Sequence, residues 1–211
     1  MIVFELVGRE DHQAYQDLSI DNLQRQYDFL RSIITAAVAL KRPMISTSII
    51  TALNAHAISC LHVNAGQFRP CPVTVGTYSP PDHYRVPELT NTFVNEVNYA
   101  WQATDAVVLA TYVLWRLNFI HPFINGNGRT ARALCYYVIC VKAGGLLRGE
   151  TILPELIRRN RDEYVQLLRD ADVAALAGKG DYLRPLHAFI MRLLDEQLKS
   201  APEDGAAAKA H

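Results

Sequence analysis

His121-Pro122-Phe123-Ile124-Asn125-Gly126-Asn127-Gly128-Arg129-Thr130-Ala131-Arg132 lies between two apolar segments of helical pattern and reads as a tight loop opening directly into a helix N-terminus. Such a loop suits an anion. Gly126 and Gly128 permit backbone angles and close approaches that a side chain would block, so successive N–H groups can turn toward one point. The first-turn N–H groups of the following helix lack intrahelical partners and carry the positive end of its dipole. Arg129 and Arg132, three residues apart, share a helical face and can offer forked donors to phosphate oxygens. His121, at the mouth of the loop, can take a proton near neutral pH.

The same residues resemble the signature of the Fic family: His, any, Phe, any, Asp or Glu, Gly, Asn, Gly, Arg, any, any, Arg. Every fixed position matches except one, because Asn125 stands where the family has its acid. The resemblance implies an all-α, Fic-type helical bundle with a short β-hairpin flap over the active-site loop. It also implies nucleotidyl transfer, most often of AMP from ATP as co-substrate to a Ser, Thr or Tyr hydroxyl of a target protein. On that reading His121 is the catalytic base, and the N–H groups around Gly126 to Gly128 hold the α- and β-phosphates with the Asn127 amide. Arg132 reaches the γ-phosphate, Arg129 assists near the phosphates or braces the loop, and Phe123 anchors the loop in the core.

In the family the acid at position 125 helps hold Mg²⁺, which prefers anionic oxygen. An amide oxygen can ligate but brings no charge. Three outcomes follow: slow transfer with weakened Mg²⁺ use, a different phosphate-containing donor, or a nucleotide-binding interaction protein without transfer. If the amide is the limiting defect, Asn125→Asp raises Mg²⁺-dependent activity.

Before this loop, Gly66-Gln67-Phe68-Arg69 precedes a stretch without helical pattern. Val73, Thr74 and Val75, then Gly76, Thr77 and Tyr78, read as a short hairpin whose turn-rich continuation includes Ser79, Pro80, Pro81 and Asp82. The resemblance makes residues 71–86 the flap, whose exposed edge would pair with an extended target segment. After the loop, Asn160 and Tyr164 match a recurrent Fic feature that lines the nucleotide pocket near adenine or ribose; a helix cap and a packing tyrosine explain them nearly as well.

Elsewhere the pattern predicts packed helices. Ile2 to Val7 could dock as a short strand or arm. A helix is expected from Asp21 as cap toward Pro43, another from Ser46 or Ser48 to Leu61, and others over Pro87 to Asn98, Ala103 to Asn118, Thr130 to Gly144, Pro154 to Asp172 and Tyr182 to Leu198. His56 and His62 read as surface or satisfied core histidines, since no cluster of metal ligands accompanies them. This divides the chain into an arm and outer helix (1–44), a catalytic domain (45–199) and a mobile tail (200–211).

With 21 basic and 21 acidic residues among 211, no broad field calls for nucleic acid or an anionic membrane. The four cysteines are too sparse for a disulfide scaffold, and the start carries Glu5, Glu10 and Asp11 instead of a basic leader, so a cytoplasmic location is expected; secretion as an effector would leave no mark here. The inhibitory Ser/Thr, three residues, Glu, then Gly/Asn motif of many Fic proteins is not matched. Thr92 with Glu96 and Thr151 with Glu155 have its first spacing, but Val97 and Leu156 follow. A separate antitoxin-like inhibitor is one way such a chain would be controlled.

Overall fold

The computed structural model describes residues 1–201. Their elements are α1 (Val3–Val7), α2 (Gln13–Ala39), α3 (Thr47–Ile58), a 3-10 turn (His83–Arg85), α4 (Val86–Ala100), α5 (Ala106–Ile120), α6 (Asn127–Ala143), α7 (Leu153–Arg159), α8 (Arg161–Leu176) and α9 (Arg184–Lys199). The all-α expectation holds. Most of the expected tail, 202–211, lies outside the described residues.

The centre is the pair α5 and α6, which make the most extensive helix–helix contact among the described elements. Both are apolar nearly all round, as helices covered on every side must be: Ala110, Val113, Leu114, Leu117 and Ile120 on α5 and Leu134, Cys135, Tyr136, Val138 and Cys140 on α6 are fully enclosed. Burial pushes the Cys135 thiol up and that of Cys140 to about 11, so both are inert core residues. Asp105 caps α5, accepting the Val107 and Val108 N–H groups, and Gly144 ends α6 in the left-handed conformation.

Around this pair, α2 and α3 cover one side, α4 another, and α7, α8 and α9 a third. Two buried amides on α2 bond to carbonyls of α3 and its end: Gln26 to Leu53 at 2.9 Å and Asn22 to Ser59 at 2.8 Å. That contact explains one departure from expectation. Asp21 caps nothing; α2 begins eight residues earlier, after His12, whose Nδ1 accepts the Ala14 N–H. Tyr15, on the added turns, is buried, and its packing outweighs the polar residues around it. The arm also docks as a helix, not a strand. Val3 and Phe4 donate their N–H groups to Cys60 and Leu61 carbonyls.

The flap is reduced to a single antiparallel bridge. Val75 and Tyr78 exchange both backbone hydrogen bonds, at 2.9 and 3.0 Å, around Gly76 at φ 61° and Thr77. The next hydrogen-bonded pair would set Val73 against Pro80, which has no N–H to donate, so the ladder stops after one bridge.

The loop between α5 and α6 is held from α3 by Asn54, whose side chain is fully buried. Its Nδ2 donates to the Asn125 carbonyl at 2.9 Å and the Thr130 hydroxyl at 3.3 Å, while Oδ1 accepts the Gly66 N–H at 3.0 Å. Replacing Asn54 with Ala orphans these partners and is expected to cost about 3 kcal/mol in chemical denaturation, well beyond a surface change.

Candidate functional site

His121 is the C-cap of α5 and sits in the left-handed region at φ 51°, ψ 60°, an uncommon conformation for a residue with a side chain. This turn reverses the chain into the loop. The ring bonds to the Asn118 backbone, which orients it, and burial holds its pKa down at about 4, with the Arg69 guanidinium adding to the depression. The imidazole is therefore neutral at physiological pH.

Five residues on, Gly126 takes φ 78°. A Cβ there would lie 2.7 Å from Ile58 and 2.9 Å from Asn54, so only glycine lets the loop approach α3 this closely. Helix α6 starts immediately. Its first intrahelical bond runs from Thr130 N–H to Gly126 O, which leaves the N–H groups of Asn127, Gly128 and Arg129 without helical partners. Arg132 lies over this turn, its Nη1 only 3.2 Å from where a Gly128 Cβ would be. Burial lowers the Arg132 pKa from its very high ordinary value.

A cavity of about 250 Å³ opens here, walled by His121, Gly128, Arg132, Asn118, Tyr164 and the flap residues Val75 and Tyr78, among others. Its end away from the loop contains Asp172, which accepts the Trp115 indole N–H at 2.9 Å and whose carboxyl pKa is raised by burial. A neutral imidazole, the first turn of α6, a buried guanidinium and the Val75–Tyr78 segment thus meet at one concave site. A second cavity, about 300 Å³, lies between α2, α6 and α7, with Arg129, Arg132, Arg158 and Glu155 in its walls. Arg132 borders both.

Several expected roles change in this geometry. The Asn127 amide does not face the cavity: Oδ1 accepts the Phe123 N–H at 2.9 Å and Nδ2 donates to the Phe123 carbonyl at 2.8 Å, so this buried side chain staples the loop closed. Arg129 is the brace, donating to the Ala57 carbonyl, the Ser19 hydroxyl and Asn125 Oδ1. The Gly126 N–H is taken by Asn125 Oδ1 at 2.6 Å. Asn160 does not border the His121 cavity; its amide donates to the Leu156 carbonyl and closes α7. Tyr164 does border it and accepts the Asn118 amide at 2.9 Å. Phe123 is fully buried against Phe68, as an anchor should be.

Asn125 is also a poor ligand for Mg²⁺. Its oxygen accepts Gly126 N–H and lies 3.3 Å from the Arg129 guanidinium, while its nitrogen donates at 2.9 Å to both Glu10 and His62. A hard dication needs free anionic oxygens, and here the oxygen is occupied by donors beside a fixed positive charge. No group of three or more His, Cys, Asp or Glu that could hold a metal gathers among the described residues. The residues at 125 do not fit the ion.

Two positions carry more than their local sequence indicates. Arg69, almost wholly buried, donates to the carbonyls of His121, Cys71 and Pro81, and its N–H bonds to Pro122 O. One guanidinium thereby joins the segments on either side of the Val75–Tyr78 bridge to the His121 turn. The Gly66 to Arg69 stretch marks its place, but three carbonyl partners spread over fifty residues leave no local pattern. His62 is a satisfied core histidine, as expected, but its partners are distant in sequence: its Nε2 lies within hydrogen-bond distance of the Tyr15 hydroxyl, Glu10 Oε1 and Asn125 Nδ2, and burial lowers its pKa.

Residues 44–139 match the family model described as Fic/DOC family. The chain is 31% identical over 137 residues to "Protein adenylyltransferase Fic" of Drosophila persimilis, covering 64% of this chain and 24% of that protein. It is 35% identical over 100 residues to a "Probable protein adenylyltransferase" of Aquifex aeolicus, covering 47% and 28%. The match thus spans about a quarter of the length of these relatives. Among solved structures, Fic-1 of C. elegans (residues 134–508) superposes with a TM-score of 0.70 at 21% identity, over 93% of this chain and 55% of that one. A Fic domain containing signaling protein of Bacteroides thetaiotaomicron gives 0.66 at 21%, over 94% and 78%. Family match over residues 44–139, shared helical architecture and motif loop together identify a Fic domain in this chain, with asparagine where the motif carries its acid.

Proposed function

We propose that the chain is a protein nucleotidyltransferase that moves AMP from ATP to a Ser, Thr or Tyr hydroxyl of a target protein. The observation that carries this is the convergence of a neutral His121, Gly128 in the first turn of α6 and Arg132 on one cavity that Val75 and Tyr78 also wall. The names of its relatives support the same chemistry.

In this reading the phosphates of ATP lie against the Asn127, Gly128 and Arg129 N–H groups, where the helix dipole and unmade hydrogen bonds favour an anion. His121 accepts the target hydroxyl proton as oxygen attacks the α-phosphorus, and pyrophosphate leaves against Arg132. The Val75–Tyr78 bridge presents backbone of Val73 and Thr74 that is outside any ladder, to which an extended target segment could add. Tyr78 anchors that flap, its hydroxyl donating to the Phe119 carbonyl at 2.7 Å. With no fitting metal ligand at Asn125, Arg132 and the loop carry the charge compensation alone, and transfer is slow.

The second reading, nucleotide binding without transfer, rests on the same unfitted metal position. Incubation with ATP labelled at the α-phosphate separates the two. Label on a protein that falls by roughly 10²-fold or more in His121→Ala, with ATP binding kept, supports transfer. ATP binding without any His121-dependent label supports the alternative.

The state of His121 is independently measurable. Its ring is expected to titrate near pH 4 by NMR, not near the ordinary 6.5. Because the folded pKa is depressed, the unfolded chain binds more protons between these values. Stability tied to this group is therefore full above about pH 6.5 and is lost as pH falls toward 4. A titration at 6.5 would remove the account of His121 as a buried neutral base.

A further inference from the structure

The polar cluster behind the motif loop explains the asparagine at 125 without reference to a metal. Helix α1 is seated on the end of α3 by its N–H bonds to Cys60 and Leu61, with the Phe4 ring 4.6 Å from that of His62. Gly8, left-handed at φ 68°, ends the helix and turns the chain back. Glu10 then reaches the motif loop, its Oε1 lying 2.9 Å from Asn125 Nδ2 and 3.2 Å from His62 Nε2. The Tyr15 hydroxyl closes the group, 2.9 Å from His62 Nε2.

The donor and acceptor count is selective. An asparagine amide has two N–H bonds and one carbonyl. Here the two face Glu10 and His62, while the carbonyl accepts Gly126 N–H and Arg129. A carboxylate at 125 could keep the second pair of contacts, and could accept from His62 in its Nε2–H tautomer, but it has no N–H for Glu10. It would set one negative oxygen within hydrogen-bond distance of another, with no proton between them. Glu10 and an acid at position 125 are incompatible in this arrangement, whereas Glu10 and Asn125 complete each other.

We propose that Glu10 is a positioning residue for the phosphate-binding loop: through Asn125 it fixes the Gly126 N–H and the Arg129 brace, and residue 125 is matched to Glu10 instead of to a cation. The N-terminal arm is thus part of the site, although 115 residues separate the two side chains.

The test is a cycle of four full-length proteins: wild type, Glu10→Gln, Asn125→Asp and the double variant. Melting temperature is read for each, with the ATP dissociation constant by calorimetry. Asn125→Asp is expected to lower Tm by roughly 2–4 °C and to weaken ATP binding several-fold. Glu10→Gln keeps an acceptor for Asn125 Nδ2 but loses the charge, and is expected to lose less in both quantities than Asn125→Asp; a loss as large as that of Asn125→Asp overturns the proposal. In the double variant the glutamine amide can donate to the new carboxylate, so both quantities return toward wild type. An Asn125→Asp protein equal to or better than wild type overturns the proposal, as does a double variant no better than Asn125→Asp. If Asn125→Asp does not fold, a folded double variant supports the proposal and an unfolded one overturns it. The ATP readout rests on the proposed nucleotide site, but the Tm cycle does not. A wild type that binds no ATP would defeat that reading and leave the Tm cycle to decide this one.

Discussion

A single buried amide, Asn54, ties the outer helices to the central pair at the point where chemistry is expected. Its three hydrogen bonds join α3 to the Asn125 carbonyl, to the first turn of α6 and to Gly66. Buried polar groups must be paired, so the loop can take no other height above α3 without leaving one of them bare. Gly126 meets the same constraint from the other side, since a side chain there would displace Ile58. The start of α6 is consequently held in place with the Asn127, Gly128 and Arg129 N–H groups outside its intrahelical bonds, which is a property an anion site needs.

A second set of bonds concerns the entry to the loop. His121 sits in a left-handed turn at the end of a fully enclosed helix, and Arg69 holds its carbonyl together with those of Cys71 and Pro81. A buried guanidinium satisfied entirely by carbonyls is rigid, because each lost bond would strand a charge. The flap itself has only one bridge and cannot hold its own shape. Its position is therefore borrowed from Arg69 and from Tyr78 docked on α5, while its outer backbone remains accessible.

The motif loop sits between two environments. Toward the cavity, His121, Gly128 and Arg132 meet the flap and α8; on the other side, Asn125 and Arg129 meet α3, the start of α2 and the arm. Alternation around a helix start produces this split, since successive side chains point in different directions while N–H groups converge. The two motif arginines accordingly differ: one borders the His121 cavity and the other bonds to backbone. A like spacing of like residues did not imply a like role.

Much was legible in the chain itself. Helical periodicity, capping residues such as Ser46 and Gly144, and the glycine-rich loop after an apolar run are local features. Backbone sterics and the burial of apolar faces enforce them wherever they occur. They specified an all-helical bundle, the glycine turn that opens α6 after His121, and the anchoring of Phe123. What the letters could not contain is which polar partner each side chain meets across long separations. Asn127 as a staple, Arg129 as a brace, Arg69 across the flap and Glu10 against Asn125 arise from hydrogen bonds between residues brought together by packing. Each depends on the distance and direction of a donor and its acceptor, and those exist only once the helices are assembled.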